Sequence, residues 1–247
     1  MRKMINKVLP LLLILVQSSI VVYGQKLQGN AIYKTVRDYG SAGIKTDGMS
    51  EEMKSQIEAM MKARAQKTFI LYFNGSEANW IDSKEPNQKR KYRDIAKSTF
   101  IEEAAIMNDT YLVKDKLVPI AWTLSDETKK IGPYMAKKAT STRTWQSVAK
   151  GKDETKIVSN SEEVVAWYTE EVPLKHGPDG YWGLPGLVLE LDDGKMKYEC
   201  ISVTTKPEEE VQIKMPSIGK KVSRKEYIKI QEEKRDLFLK GFSGGNP

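Results

Sequence analysis

Leu187-Val188-Leu189-Glu190-Leu191, then Asp192-Asp193-Gly194, then Lys195-Met196-Lys197-Tyr198-Glu199-Cys200-Ile201-Ser202-Val203 is the stretch on which the fold turns. Leu187, Leu189 and Leu191 fall on one side of an extended chain and Glu190 on the other, the two-residue period of a strand with one buried face. After the Asp-Asp-Gly turn, Met196, Tyr198 and Cys200 alternate with charged residues. So short a connection forces antiparallel neighbours.

The same period recurs outward from this pair. Segments 31–37, 68–73 and 76–81 read as strands, the last two joined by a two-residue Asn74-Gly75 turn. Further strands are expected at 110–113, 117–124, 134–145 and 164–171. Two stretches follow the helical period instead. Ser50 caps a helix over 50–66, with Glu51 and Glu52 in its first turn and Met53, Ile57, Met60 and Met61 as its apolar stripe. Those thioethers are expected to fill a helix-sheet contact, since a copper site would want His or Cys beside them. Ser223 and Glu226 form a capping box that opens a helix over 223–240, striped by Tyr227, Ile230 and Leu237. The basic cluster Gln88-Lys89-Arg90-Lys91-Tyr92-Arg93 reads as a solvated loop. The fold class is therefore α+β, mainly β: one strongly curved antiparallel sheet, half-barrel-like, packed by helices near 50–66 and 223–240 that cover its concave face. Such a sheet fills its concavity with side chains or leaves a pocket for an apolar ligand.

Composition narrows the function. Of 247 residues 30% are charged and 40% hydrophobic, too polar for a multi-pass membrane protein and too apolar for a disordered chain. One Cys and one His exclude an internal disulfide and a zinc site of His/Cys type, and no cofactor is implied. Arg2, Lys3 and Lys7 precede the apolar run 8–16, with Val22 and Gly24 placed for cleavage before Gln25. Residues 1–24 are thus expected to be a signal peptide and 25–247 a single domain. No Cys follows the cleavage point, so the product is soluble and not a lipoprotein, with no integral membrane span. Loss of the leader lowers the net charge from +7 to +4, without the concentrated basic face that nucleic acid would require.

The stretch Ala166-Trp167-Tyr168 through Tyr181-Trp182-Gly183-Leu184-Pro185-Gly186-Leu187-Val188 resembles the defining block of the GLPGLI family of exported Bacteroidota proteins, with Val188 where the family name has Ile. Trp122, Leu124, Glu127, Thr128, Lys129, Ile131, Tyr134, Lys138 and Ala139 extend the likeness upstream. The resemblance implies a periplasmic location and no established activity. A weaker similarity runs to periplasmic lipoprotein-carrier domains, whose half-barrel sheet lies over helices. Within the motif, Pro185 fixes a corner, while Gly183 and Gly186 permit angles or close approaches that a side chain forbids. Gly183, Pro185 and Gly186 are expected to be structural. Trp167, Tyr168, Tyr181, Trp182 and Leu184 are expected to hold a ligand or partner, with Tyr181 and Trp182 as an exposed aromatic lip.

The expected function is that of a non-catalytic periplasmic envelope protein binding an apolar or lipid-like ligand or an outer-membrane partner. A structural subunit of an envelope assembly is the alternative. A hydrolase would need Glu170, Glu171 and Asp179 to converge on His176, which reads as a surface histidine in a loop. Cys200 reads as a buried small hydrophobe.

Overall fold

The computed structural model describes residues 27–37, 49–86, 89–150 and 155–243; the expected leader lies outside them. Strands are β1 (Gly29–Arg37), β2 (Gln66–Phe73), β3 (Glu77–Asp82), β4 (Lys91–Asp94), β5 (Thr99–Ile106), β6 (Asp109–Lys116), β7 (Thr123–Ile131), β8 (Tyr134–Lys150), β9 (Thr155–Thr169), β10 (Leu187–Asp192), β11 (Met196–Thr204) and β12 (Lys220–Ser223). Helices are α1 (Glu51–Ala65) and α2 (Arg224–Ser243). All the strands join one sheet in the order β12-β6-β5-β4-β3-β2-β1-β11-β10-β9-β8-β7. Its neighbours are antiparallel except β12, which runs parallel to β6. The chain is α+β and mainly β. Among the described residues no helix is long and apolar enough to cross a membrane.

The connections require the curvature. Only 117–122 links β6, next to one edge, to β7 at the other. At ~3.5 Å per residue that link spans at most ~25 Å. Ten inter-strand steps of ~4.8 Å would put the same strands ~48 Å apart in a flat sheet. The sheet must therefore curl until its edges approach. Ala31, Tyr33, Leu71, Phe73, Trp80, Ala166 and Tyr198 are buried in the resulting core.

The core is closed differently from the sequence-based expectation. Both helices pack on the sheet, α1 against β1 and β2, α2 against β6 and β12. The strands near β10, however, are covered by the motif segment itself, which contributes Val172, Leu174 and Leu184 to the core. Met53 and Met60 are 51% and 46% exposed, so these two thioethers do not fill a helix-sheet contact. Among the described side chains of α2, the burial lies in the first turns. Tyr227 packs with Ala104, Tyr111 and Val113, whereas Leu237 is 66% exposed.

Other details correct the sequence reading. Segment 117–122 is a crossover and not a strand, and β7 begins only at Thr123. The expected basic loop contains β4, in which Tyr92 and Arg93 are buried. The β2-β3 turn holds three residues, because the Asn74 side chain accepts from the Ser76 and Glu77 amides, at 3.0 and 2.9 Å. In β10 a bulge between Val188 and Glu190 interrupts strict alternation, although Leu187, Leu189 and Leu191 are all buried. The bulge re-aims the Val188 carbonyl, which accepts the Tyr33 hydroxyl at 2.5 Å across β11.

The capping box forms as read. Ser223 Oγ accepts the Glu226 amide at 3.2 Å, and the Glu226 carboxylate accepts the Ser223 amide at 2.7 Å. Ser223→Ala is expected to lower stability by about 1 kcal/mol in chemical denaturation. An unchanged midpoint would mean that the box contributes nothing.

Candidate functional site

After β9 the chain leaves the sheet at Glu170, runs across the concave face and returns to β10 at Leu187, so that 170–186 forms a strap. Its two limbs hold each other. Gly183 donates to the Lys175 carbonyl at 3.0 Å, His176 and Trp182 form a bridge, and Tyr181 donates to Pro178 at 3.0 Å to close the tip. At the base, Leu187 donates to Val172 at 3.0 Å and Val188 to His176 at 3.1 Å. The tip reaches β4, six strands along the sheet from β9. There Arg93 donates to the Tyr181 and Gly177 carbonyls, both at 2.8 Å, and Lys91 pairs with Asp179.

The two motif glycines serve different needs. Gly183 has φ +99°, a conformation penalised for any residue with a Cβ. At Gly186 the need is space, since a Cβ would stand 2.0 Å from the Thr169 carbonyl oxygen. This close approach docks the returning limb against the end of β9.

The five residues read from sequence as a binding set do not form one surface. Tyr168 and Leu184 are each 1% exposed and belong to the core, where a ligand from solvent cannot touch them. Trp167 lies on the opposite sheet face, with the Lys129 ammonium 4.4 Å above its ring and Lys129 paired to Glu190. Tyr181 and Trp182 do lie together. The Tyr181 hydroxyl donates to Asp193 at 2.8 Å, and its ring sits between Trp122 and Tyr198, with centroids 6.4 and 6.2 Å away. Trp182 is half-buried: its indole donates to the Val118 carbonyl at 3.2 Å, and its own carbonyl accepts the Trp122 indole at 2.9 Å. These bonds fasten the crossover to the strap and fix an apolar rim in which Val118 is 71% and Leu124 56% exposed.

His176 is fully buried rather than at the surface, with Nε2 3.1 Å from the Asn74 carbonyl and Nδ1 without a partner. Burial, and then the nearby Arg93 charge, depress its pKa to about 3. The residues that a His-carboxylate hydrolase would need are apart: Glu170 is exposed and pairs with Lys137 at 2.7 Å, while Glu171, also exposed, accepts the Met135 amide at 2.8 Å. Asp179 is at the strap tip; burial raises its pKa, but the Lys91 charge and hydrogen bond outweigh that and hold it low. Cys200 is half-buried and faces the core near Tyr33, and burial pushes its thiol up to about 12.

The histidine makes a pH prediction. Its folded pKa lies below the unfolded value of about 6.5, so between about 3 and 6.5 the unfolded chain binds the extra proton and acid favours unfolding. Stability contributed by the neutral ring is therefore present above pH 6.5 and lost as the pH falls. Between pH 6.5 and 5 the loss should be about 2 kcal/mol. Denaturation of the parent chain and His176→Gln at both values checks it; equal losses in the two would remove His176 as the source.

Arg93 was not legible as a site residue, because its partners are carbonyls 84 and 88 positions away. Asp193 and Tyr198 likewise join the site only through the fold. Trp122 had a signal, its place in the upstream motif block.

Residues 122–190 match the profile of a family described as protein of unknown function (Porph_ging). No curated protein matches the chain. Among solved structures, two crystal forms of PNGF-II share the fold at 17% identity, with TM-scores of 0.53 and 0.51. Each comparison covers 85% of this chain but only 34% and 33% of the PNGF-II chains, so this chain spans about a third of their length. At that identity the likeness concerns the fold alone.

Proposed function

We propose that this is an exported envelope protein of GLPGLI type, residues 25–247 forming one domain behind a leader at 1–24, and that it works by binding. The observation that carries the reading is the rim. Trp182 and Trp122 spend their indole N–H groups on backbone carbonyls, which leaves ring faces beside exposed Val118 and Leu124. A rigid apolar edge with its polar atoms already satisfied suits a protein partner. An outer-membrane protein is the partner that fits the export signal and the likeness to a Bacteroidota family. A lipid-like ligand is less well supported, because the strap occupies the middle of the concavity. Tyr181 supports the rim from behind, and Gly183, Pro185 and Gly186 set its position.

Trp182→Ala tests the reading. Only half of this side chain is buried, so the substitution should cost about 1 kcal/mol. Crosslinking in cells followed by pull-down should meanwhile lose the partner. Partner recovery at the parent level would overturn the rim as the docking edge, and a cost of about 3 to 5 kcal/mol would make Trp182 a core residue.

A further inference from the structure

A second site lies on the inner face, where the strap tip approaches the start of α2. We propose that it is a binding site for a neutral sugar ring. The hollow has a volume of about 290 Å³ and is bounded by Phe69, Trp80, Met196, Tyr198, Asp179 and Tyr227. That is the lower limit of ordinary ligand sites, enough for one ring and too small for an extended chain.

Its floor is built to stay still. Phe69 stacks on Trp80 with centroids 4.9 Å apart and planes 9° from parallel. Trp80 is only 4% exposed and is gripped edge-on by Tyr33 at 5.3 Å and Tyr198 at 6.1 Å. Phe69 remains partly exposed above this support. A preorganised aromatic face suits a ligand with a flat apolar side.

The rim sets the ligand's polarity. Four basic and four acidic residues line the hollow, so it carries no net charge. Lys67 pairs with Asp82 at 3.2 Å, and Lys91 pairs with both Asp179 and Glu102, the latter at 3.8 Å. An alkyl ligand would strip water from these groups and return nothing. An ionic ligand would have to separate existing pairs. A hydroxyl both donates and accepts, so it can bond a carboxylate or an ammonium without breaking the pair. A pyranose combines an edge of hydroxyls with a C–H face that can lie on Phe69.

Saturation-transfer NMR on the full-length mature chain tests the proposal, with the methyl glycosides of glucose, galactose and N-acetylglucosamine as probes and adenosine and an alkyl maltoside as comparators. At least one methyl glycoside should bind, with transfer concentrated on the C–H protons of one ring face. Phe69→Ala and Lys67→Gln should each weaken binding about tenfold. Lys67 is more than half exposed and should fold whatever the outcome at Phe69, so it alone can decide. Absence of glycoside binding, adenosine binding more tightly than every glycoside, maltoside binding through its alkyl chain, or parental affinity in Lys67→Gln would each overturn the proposal.

Discussion

Replacing Arg93 with alanine is expected to remove about 3 to 5 kcal/mol of folding stability. The guanidinium is buried, and its two terminal nitrogens each serve a carbonyl of the strap, Tyr181 and Gly177, at 2.8 Å. Charged hydrogen bonds of this kind contribute about 1.5 to 3 kcal/mol each, and their loss leaves the buried Gly177 carbonyl without its donor. Burial pulls the Arg93 pKa down to about 10, a measure of how far the group is from water. In a chain of this size the change should lower the melting temperature by roughly 10 °C. Arg93→Lys should recover little, because one ammonium cannot reproduce a planar fork that reaches two carbonyls. A loss under about 1 kcal/mol in Arg93→Ala would mean that the strap is held by its other contacts.

Gly186→Ala is expected to cost about 3 kcal/mol or more, at the upper end of overpacking penalties. The new methyl would stand 2.0 Å from the Thr169 oxygen and 2.5 Å from its carbonyl carbon, so relief requires two backbone segments to part. No rotamer change can help. Gly183→Ala supplies the contrast: at Gly183 the nearest atoms are 3.9 Å away on Trp122, and the penalty is only the strain of φ +99°, about 1 to 2 kcal/mol. Urea denaturation of both variants checks the ranking. A milder effect at Gly186 than at Gly183 would contradict the close approach.

The contrast shows which parts of the site the sequence makes legible. Two glycines around Leu184-Pro185 announce a corner, and β10 and β11 announce a sheet, because both signals are local. The direction of the strap is not local. It depends on Arg93, whose neighbours Lys91 and Asp94 make β4 look like a solvated loop, and on carbonyls, which carry no sequence signature. Segment 117–122 misleads for a related reason. Val118, Ile120, Ala121 and Trp122 are as apolar as a strand, yet they cross the gap between sheet edges, tied down by the Trp122 and Trp182 indoles and by Ser141, which donates to the Ala121 carbonyl at 2.8 Å. The helices are legible at their N-termini through Ser50 and Ser223. The exposure of Met53 and Leu237 follows from where each helix leaves the sheet, which periodicity does not encode.

The position of β1 reaches beyond the folded state. It is the first strand among the described residues, yet it lies mid-sheet, paired with β2 on one side and β11 on the other, Asn30 opposite Thr204. In the strand pairing, the meander β2 to β6 and the later strands β7 to β11 are joined only through it. The sheet therefore cannot close until about 175 residues beyond Asn30 have been made, and closing so long a loop is entropically slow. The last folding step is thus deferred until the far end of the chain arrives, however early the meander β2 to β6 has formed.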